Sequence, residues 1–331
     1  MESKTEEVRT QFKQNIMINY SIILKILFII ACIVVIGCEE EFNPPITAEV
    51  EQYVVEGYVE AGEGSNPTYV LITRSVPFFD ELNADQFASL FVNNADVAVD
   101  DGDKVVQLNK FCLGDIPDGP LKDELAEQFG IDLTTVSEDV DICVYLDLTD
   151  QLTREIGRTY DLTIRVDDDL LTASTTIPEL VKLDSFEFEE IPGVAVDTLA
   201  HLFCRIADPE EVNYYRYFTD DDVGNLNTAF SSITDDVQFN GQDFRFPLSQ
   251  ADNDEVSFED YGFFNVGDTV TIKWCTIDEA HYNFWNTFEY SLNGQGSPFT
   301  SYTRIADNVE GGFGIWGGYA IQVEELIVTK E

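Results

Sequence analysis

Short segments in which apolar and polar residues alternate recur along this chain, and they constrain its fold more than any other feature. Residues 184–190 read DSFEFEE, and residues 201–207 read HLFCRIA, which places Leu202, Cys204 and Ile206 on one face of an extended segment. Residues 68–76 (TYVLITRSV) are rich in β-branched and aromatic side chains, which favour strands. The pattern indicates a protein built mainly from half-buried β-strands.

The spacing of these segments predicts a mostly β fold of two antiparallel, immunoglobulin-like β-sandwich domains with a few short helices. We expect the first domain over residues 48–178 and the second over residues 183–331. The strongest hairpin signal is the Asn-Gly pair in VQFNGQDFRF, residues 237–246. In residues 281–292 the apolar period changes to about 3.6, which predicts a helix with Asp278 as its N-cap.

The N-terminal apolar run ends in a cysteine. Residues 26–37 form a run of 12 apolar residues behind Lys25, whereas a membrane-spanning helix needs about 20. The length fits a secretory signal, and Val35-Ile36-Gly37-Cys38 looks like the cleavage site of a lipoprotein. We therefore expect a signal peptide over residues 1–37, with Met17 as an alternative start, and a lipid on Cys38. Residues 38–47 would form an extended tether. An ordinary secreted protein is disfavoured because no A-x-A-like site lies nearby.

The charge balance restricts the partners of this chain. The formal net charge is −45, and 44% of the residues are hydrophobic. A field of this sign repels phosphate backbones, so nucleic acid is not an expected partner. The apolar content argues against disorder. We interpret the acidity as a source of solubility, with the collection of cations or basic ligands as the alternative.

The cysteines indicate an oxidising compartment. Cys32 falls in the signal and Cys38 carries the lipid, which leaves four cysteines with three connectivities. We expect the disulfides Cys112–Cys143 and Cys204–Cys275, because each pair then stays inside one predicted domain. Zinc is not expected, since no C-x-x-C spacing occurs.

The remaining motifs give no catalytic residue. Gly312, Gly314 and Gly317 match G-x-G-x-x-G, but no helix or βαβ unit follows, so a loop that packs tightly against a neighbouring strand is the better interpretation. No G-x-S-x-G or H-E-x-x-H motif is present, and His281 lies on the apolar stripe of the predicted helix. The acidic clusters at 100–103, 167–169 and 220–222 are interpreted as solvated turns. Structural calcium in one of them is the alternative, and no other cofactor is expected.

Several segments resemble one family. They are YVVEGYVE, YVLITRSVPFFD, GRTYDLTIRV, TASTTIP, LDSFEFE and NVEGGFGIWGGY, the last being residues 308–319. Together they resemble the Bacteroidota outer-membrane lipoproteins called domain of unknown function 4249. Residues 81–141 fit this family less well and look like an insertion. Glu39, Glu40 and Glu41, directly after the lipid cysteine, are similar to the surface-export signals of such lipoproteins.

The resemblance implies a function without a catalytic residue. Members of this family are often encoded beside TonB-dependent transporters, which implies a lipid-anchored accessory or ligand-binding protein at the cell surface, working in nutrient uptake. Its partners would be outer-membrane lipid, through Cys38, and such a transporter. The alternatives are a carboxylate- or calcium-dependent surface hydrolase and a structural adhesin. The ligand-binding residues stay open, with these aromatic side chains as candidates for contact: Tyr214, Tyr215, Tyr217, Trp285 and Trp316.

Overall fold

The fold is taken from a computed structural model of the chain. It describes residues 52–76, 86–87, 89–116, 122, 142–190, 198–220, 226–251, 262–294 and 303–329. The predicted signal peptide, the tether, Cys38 and Glu39 to Glu41 lie outside the described residues. Val50–Glu331 forms one compact unit.

The described residues are mostly β, as the alternating pattern predicts. The strands are β1 (Tyr53–Ala61), β2 (Tyr69–Arg74), β3 (Asp96–Asp100), β4 (Val105–Gln107), β5 (Asn109–Cys112), β6 (Cys143–Leu146), β7 (Thr159–Val166), β8 (Asp169–Thr176), β9 (Leu183–Glu190), β10 (Leu199–Ala207), β11 (Tyr214–Asp220), β12 (Leu226–Asn227), β13 (Ile233–Asp235), β14 (Asp243–Leu248), β15 (Phe264–Asn265), β16 (Thr269–Ile277), β17 (Val309–Glu310) and β18 (Phe313–Ile327). The helices whose full extent lies in the described residues are the short 3₁₀ turn Leu113–Asp115 and α1 (Glu279–Asn293). No helix in the described ranges is both long and apolar enough to cross a bilayer.

One large sheet joins strands from both predicted domains. Its order is β12-β11-β16-β18-β1-β2-β6-β5, and β13 also pairs with β11. The sheet continues across the predicted boundary because β1, near the start of the described chain, pairs with β18, near its end. This pairing is parallel, so the prediction of purely antiparallel sheets is wrong at this position. Two smaller sheets, β17-β8-β7-β3-β4 and β14-β10-β15 with β9, complete the architecture.

The glycines of the G-x-G-x-x-G match lie at this parallel junction. Gly314 has φ of +111°, and a Cβ there would collide with the carbonyl oxygen of Val55 on β1. A Cβ on Gly317 would lie 2.5 Å from the His281 ring. Glycine therefore permits the close approach of β18 to its neighbours, as predicted, although Gly314 and Gly317 belong to a strand rather than a loop.

Two hydrophobic cores lie against one face of the large sheet. The first packs β1 and β2 against β3, β7 and β8, and β18 adds Trp316 and Ala320 to it. The second packs β11 and β16 against β9 and β10, with Trp274 and Tyr215 fully buried. The change from one core to the other falls near residues 180–183, where the boundary was predicted, but the shared sheet prevents a clean division.

Helix α1 covers the opposite face of the large sheet. Alternation within β16 and β18 turns Cys275, Ile315 and Tyr319 toward a third cluster, which includes Trp285 of the helix. The helix begins as predicted, because the Oδ1 atom of Asp278 accepts a hydrogen bond from the backbone N–H of His281 at 2.8 Å.

Candidate functional site

An open cleft of about 350 Å³ lies between β13 and β14, at the margin of the second core. Among the described strands, β13 pairs only with β11, and β14 is the terminal strand of its sheet. The two strands diverge, so the space between them is not closed by backbone hydrogen bonds. Its volume lies within the range of pockets that hold small molecules, which is about 300–1,000 Å³.

The turn between these strands creates the cleft. The Asn-Gly pair does form a turn, with Gly241 at φ of +70°, but the predicted hairpin over residues 237–246 is wrong. β13 pairs with β11 in the large sheet, whereas β14 pairs with β10 in another sheet. Asp208 holds the turn, because its Oδ2 atom accepts the N–H of Gly241 at 3.1 Å and its Oδ1 atom accepts the hydroxyl of Tyr215.

Aromatic rings line one side of the cleft. Phe239, Phe244 and Phe246 lie within 13° of parallel, with ring centroids 4.9–6.4 Å apart. Trp274 lies beneath Phe246 at 5.7 Å, and Tyr217 also lines the space. Phe244 is 36% exposed whereas Phe239 is buried, so Phe244 is the ring that an incoming ligand reaches most easily.

Polar side chains, together called the polar side, complete the lining, and most of them are uncharged. They are Ser231, Ser232, Thr234, Asp235, Gln238 and Ser249. The Asp235 carboxylate already accepts hydrogen bonds from the Tyr282 hydroxyl and from the backbone N–H of Val237, each at 3.3 Å. No lysine, arginine or histidine occurs among the described residues that line the cleft.

The β13 wall is fixed from behind by buried hydrogen bonds. The Ser232 hydroxyl donates to Oε1 of Glu289 on α1 at 2.5 Å, and the Ser232 backbone N–H contacts Oε2 at 3.3 Å. Arg216 Nε lies 3.4 Å from the same hydroxyl. These contacts connect the cleft wall to the helix on the other face of the large sheet, so the wall has a defined position before any ligand arrives.

Arg216 anchors a buried polar cluster on that opposite face. Its Cζ lies 3.5 Å from the centroid of the Trp285 ring, and its Nη1 donates to the Tyr319 hydroxyl at 2.7 Å. Burial alone would lower the pKa of Arg216, yet the neighbouring Tyr319, Tyr58 and Glu289 groups keep that pKa above its ordinary value. The cluster stabilises the packing of α1 on the sheet, and we assign it no chemistry.

The same face contains a buried ion pair and a neutral histidine. Lys273 Nζ lies 2.6 Å from Oε1 of Glu60, and both side chains are buried. Burial and the nearby Arg216 lower the pKa of His281 to about 3. His281 is therefore a packed, uncharged core residue, as the helical stripe predicts.

One of the two predicted disulfides is confirmed and the other is wrong. Cys112 and Cys143 are bonded and directly opposite each other on β5 and β6. The pair Cys204–Cys275 is wrong, because both thiols are free and buried. Cys204 lies in the second core, whereas Cys275 faces the third cluster on the other side of the large sheet.

The described residues of the acidic clusters at 100–103 and 167–169 lie at turns. The buried Asp101 carboxylate accepts the N–H groups of Asp103, Lys104 and Thr153 at 2.9–3.0 Å. Asp167 has φ of +51° in the turn between β7 and β8. Within the part of the chain that the structure describes, no group of three or more His, Cys, Asp or Glu side chains could hold a metal ion.

The aromatic candidates have different outcomes. Tyr215 and Trp316 are fully buried, whereas Tyr217 lines the cleft. Tyr214 and Trp285 are partly buried and pack in the third cluster. The sequence reasoning missed Phe239, Phe244 and Phe246 as site residues. The alternation Phe244-x-Phe246-x-Leu248 was visible, but it was assigned to the hairpin.

One comparison with known proteins gives a match. No curated protein and no solved structure matches the chain. The family model described as domain of unknown function (DUF4249) matches residues 39–325. The match covers most of the sequence and includes every strand that borders the cleft. The chain therefore belongs to the DUF4249 family.

Proposed function

We propose that this protein is a lipid-anchored, non-catalytic ligand-binding module of the outer membrane that works beside a TonB-dependent transporter. The apolar run over residues 26–37 and the lipoprotein-like order Val35-Ile36-Gly37-Cys38 support the anchor, and the family match begins at residue 39, directly after that cysteine. More than one acyl chain gives stable anchoring. Glu39 to Glu41 support a position on the cell-surface side.

The open cleft is the observation that carries the binding role. It combines an aromatic side with placed hydroxyl and amide groups, which is the usual character of a small-molecule site. Its β13 wall is fixed by Ser232 and Glu289, so little ordering is needed on binding. Tethering near a transporter would raise the local concentration of the captured ligand at the partner.

The carboxylates of β1 favour binding over hydrolysis. The surrounding protein desolvates the Glu56 carboxyl group and raises its pKa, although the residue is exposed to solvent. Glu60 forms an ion pair with Lys273. A glycosidase needs two carboxyl groups that act as acid, base or nucleophile. The ion pair with Lys273 occupies the Glu60 carboxylate, so β1 does not offer such a pair. The experiment below distinguishes the proposed binding role from the two alternatives, a surface hydrolase and an adhesin.

We also propose that residues 48–178 and 183–331 form two sandwich-like layers fused through the large sheet. Each of the two cores on one face of that sheet is enclosed between it and a smaller sheet. In this arrangement the large sheet connects the two halves, and the cleft lies at the margin of the second core.

Affinity isolation of the full, lipidated protein from outer membranes tests the function. We expect a β-barrel transporter to co-purify, and Cys38→Ser to abolish fatty-acid labelling, membrane fractionation and this co-purification. Recovery without any barrel protein, or unchanged fractionation of Cys38→Ser, would contradict the proposal. Binding to other cells without a barrel partner would indicate the adhesin, and turnover of a glycoside or ester would indicate the hydrolase.

A further inference from the structure

We infer that the cleft between β13 and β14 binds an uncharged pyranose ring, as found in a neutral saccharide. The inference rests on the proposed ligand-binding function and adds to it the chemical class of the ligand.

The aromatic side holds the accessible Phe244 ring in a fixed plane. Phe244 stacks on Phe239, parallel within 3° with ring centroids 4.9 Å apart, and Phe246 is parallel to both within 13°. The accessible member of such a stack offers a flat surface, whereas a cage for an ammonium group needs rings that enclose the cation. The C–H face of a pyranose ring is flat and apolar, so it can cover the accessible Phe244 ring and exclude water from it.

The polar side matches hydroxyl groups. Ser231, Thr234 and Ser249 carry hydroxyls that both donate and accept, and Gln238 offers an amide with the same capacity. The hydroxyls around a sugar ring also donate and accept, so they can pair with these groups at the edge of the ring. A purely apolar ligand would leave the polar groups without partners, which costs about 1–3 kcal/mol for each one that is buried.

The charge of the site selects against anions. No basic residue among the described lining residues could pair with an anion, and the net charge of −45 repels one. Asp235 is the one carboxylate among them, and its oxygens already accept hydrogen bonds from Tyr282 and Val237. A cationic ligand would have to pair with this carboxylate, and the amino sugars in the experiment below test that alternative.

The strands beside the cleft are also poor templates for an extended peptide. β13 has 3 residues, and β14 contains Pro247, which has no N–H to donate. Backbone pairing supplies most of the affinity when a peptide adds to a sheet edge. A small ring compound is therefore the better occupant of this space.

Calorimetry on the full, lipidated protein in detergent tests the inference. The probes are neutral methyl pyranosides and neutral oligosaccharides, with uronic acids, amino sugars and an uncharged extended peptide as comparisons. We expect a neutral saccharide to bind with an affinity that changes little between low and high salt. Phe244→Ala should weaken binding by at least about tenfold.

Phe313→Ala is the matched control, because Phe313 has a similar exposure of 41% and lies on β18, outside the lining of the cleft. It should leave the affinity unchanged, and both variants should keep the thermal midpoint of the parent. Salt-dependent binding of an amino sugar that is lost in Asp235→Asn would overturn the inference that the sugar is uncharged, while leaving ligand capture intact. Binding of the peptide alone, binding of no saccharide, or equal effects of the two alanine variants would also overturn it. The proposed function is tested separately, by the affinity isolation of the lipidated protein together with a transporter.

Discussion

At the residue scale, burial sets the chemistry of the two free cysteines. Burial raises the pKa of Cys204 and of Cys275 to about 12. Since the thiolate is the reactive form, neither side chain should react at neutral pH. We predict that iodoacetamide labels both thiols only after unfolding, and labels Cys112 and Cys143 only after reduction as well. Peptide mass spectrometry measures this, and rapid labelling of native Cys204 or Cys275 would contradict it.

His281 should couple stability to pH. Its folded pKa of about 3 lies below the unfolded value of about 6.5. Above pH 6.5 both states are neutral, whereas below it the unfolded chain gains a proton that the folded chain does not. The free energy of unfolding should therefore fall as the pH drops from 6.5 toward 3, by up to about 1.4 kcal/mol per pH unit.

Urea titrations at several pH values measure this dependence. His281→Gln should flatten it between pH 6.5 and 5, even if the variant is less stable at neutral pH. His201→Gln is the control, because His201 is only partly buried and should contribute less. A pH slope that survives in His281→Gln would show that another group is responsible.

At the scale of elements, the parallel contact between β1 and β18 depends on Gly314. Gly314→Ala combines an unfavourable backbone conformation with a collision against Val55, and should cost at least about 3 kcal/mol. Gly267 has a similar φ of +102° but no atom near its would-be Cβ, so Gly267→Ala should cost only about 1–2 kcal/mol. Denaturant unfolding of both variants separates strain from collision. Equal decreases in the free energy of unfolding would show that the collision with Val55 adds nothing to the cost of Gly314→Ala.

Local signals predicted the elements whose contacts are local. Asp278 caps α1 as expected, because the capping bond joins residues three apart. The Asn-Gly turn also exists, yet its flanking strands enter different sheets, since tertiary pairing with β11 and β10 overrides the hairpin pattern. The parallel pairing of β1 with β18 joins segments about 260 residues apart. No local periodicity specifies such a partner.

The cleft illustrates the same limit for the site. Phe244 and Phe246 could be recognised as one face of a strand from the sequence alone. Their position beside Phe239 and Trp274 depends on how two sheets diverge, which is set by contacts such as Asp208 with Gly241. Cys204 and Cys275 were wrongly paired for a related reason, because alternation within β16 turns Cys275 away from the core that contains Cys204.

At the scale of the whole molecule, the shared sheet should make the two cores unfold together. The three tryptophans provide one probe for each cluster, with Trp316 in the first core, Trp274 in the second and Trp285 under α1. In each variant that retains a single tryptophan, with phenylalanine in the other two places, tryptophan fluorescence and far-ultraviolet circular dichroism should give coincident midpoints in urea. A fluorescence midpoint that is clearly separate from the dichroism midpoint of the same variant would indicate two independent domains.

The proposed anchor and the cleft belong to one molecule, so both can be measured together by native mass spectrometry of the protein extracted from its own outer membranes. We expect a chain that begins at Cys38, carries acyl chains and releases a bound small molecule, with occupancy reduced in Phe244→Ala and unchanged in Phe313→Ala. An unacylated chain that retains residues 1–37, or equal occupancy in the two variants, would contradict it.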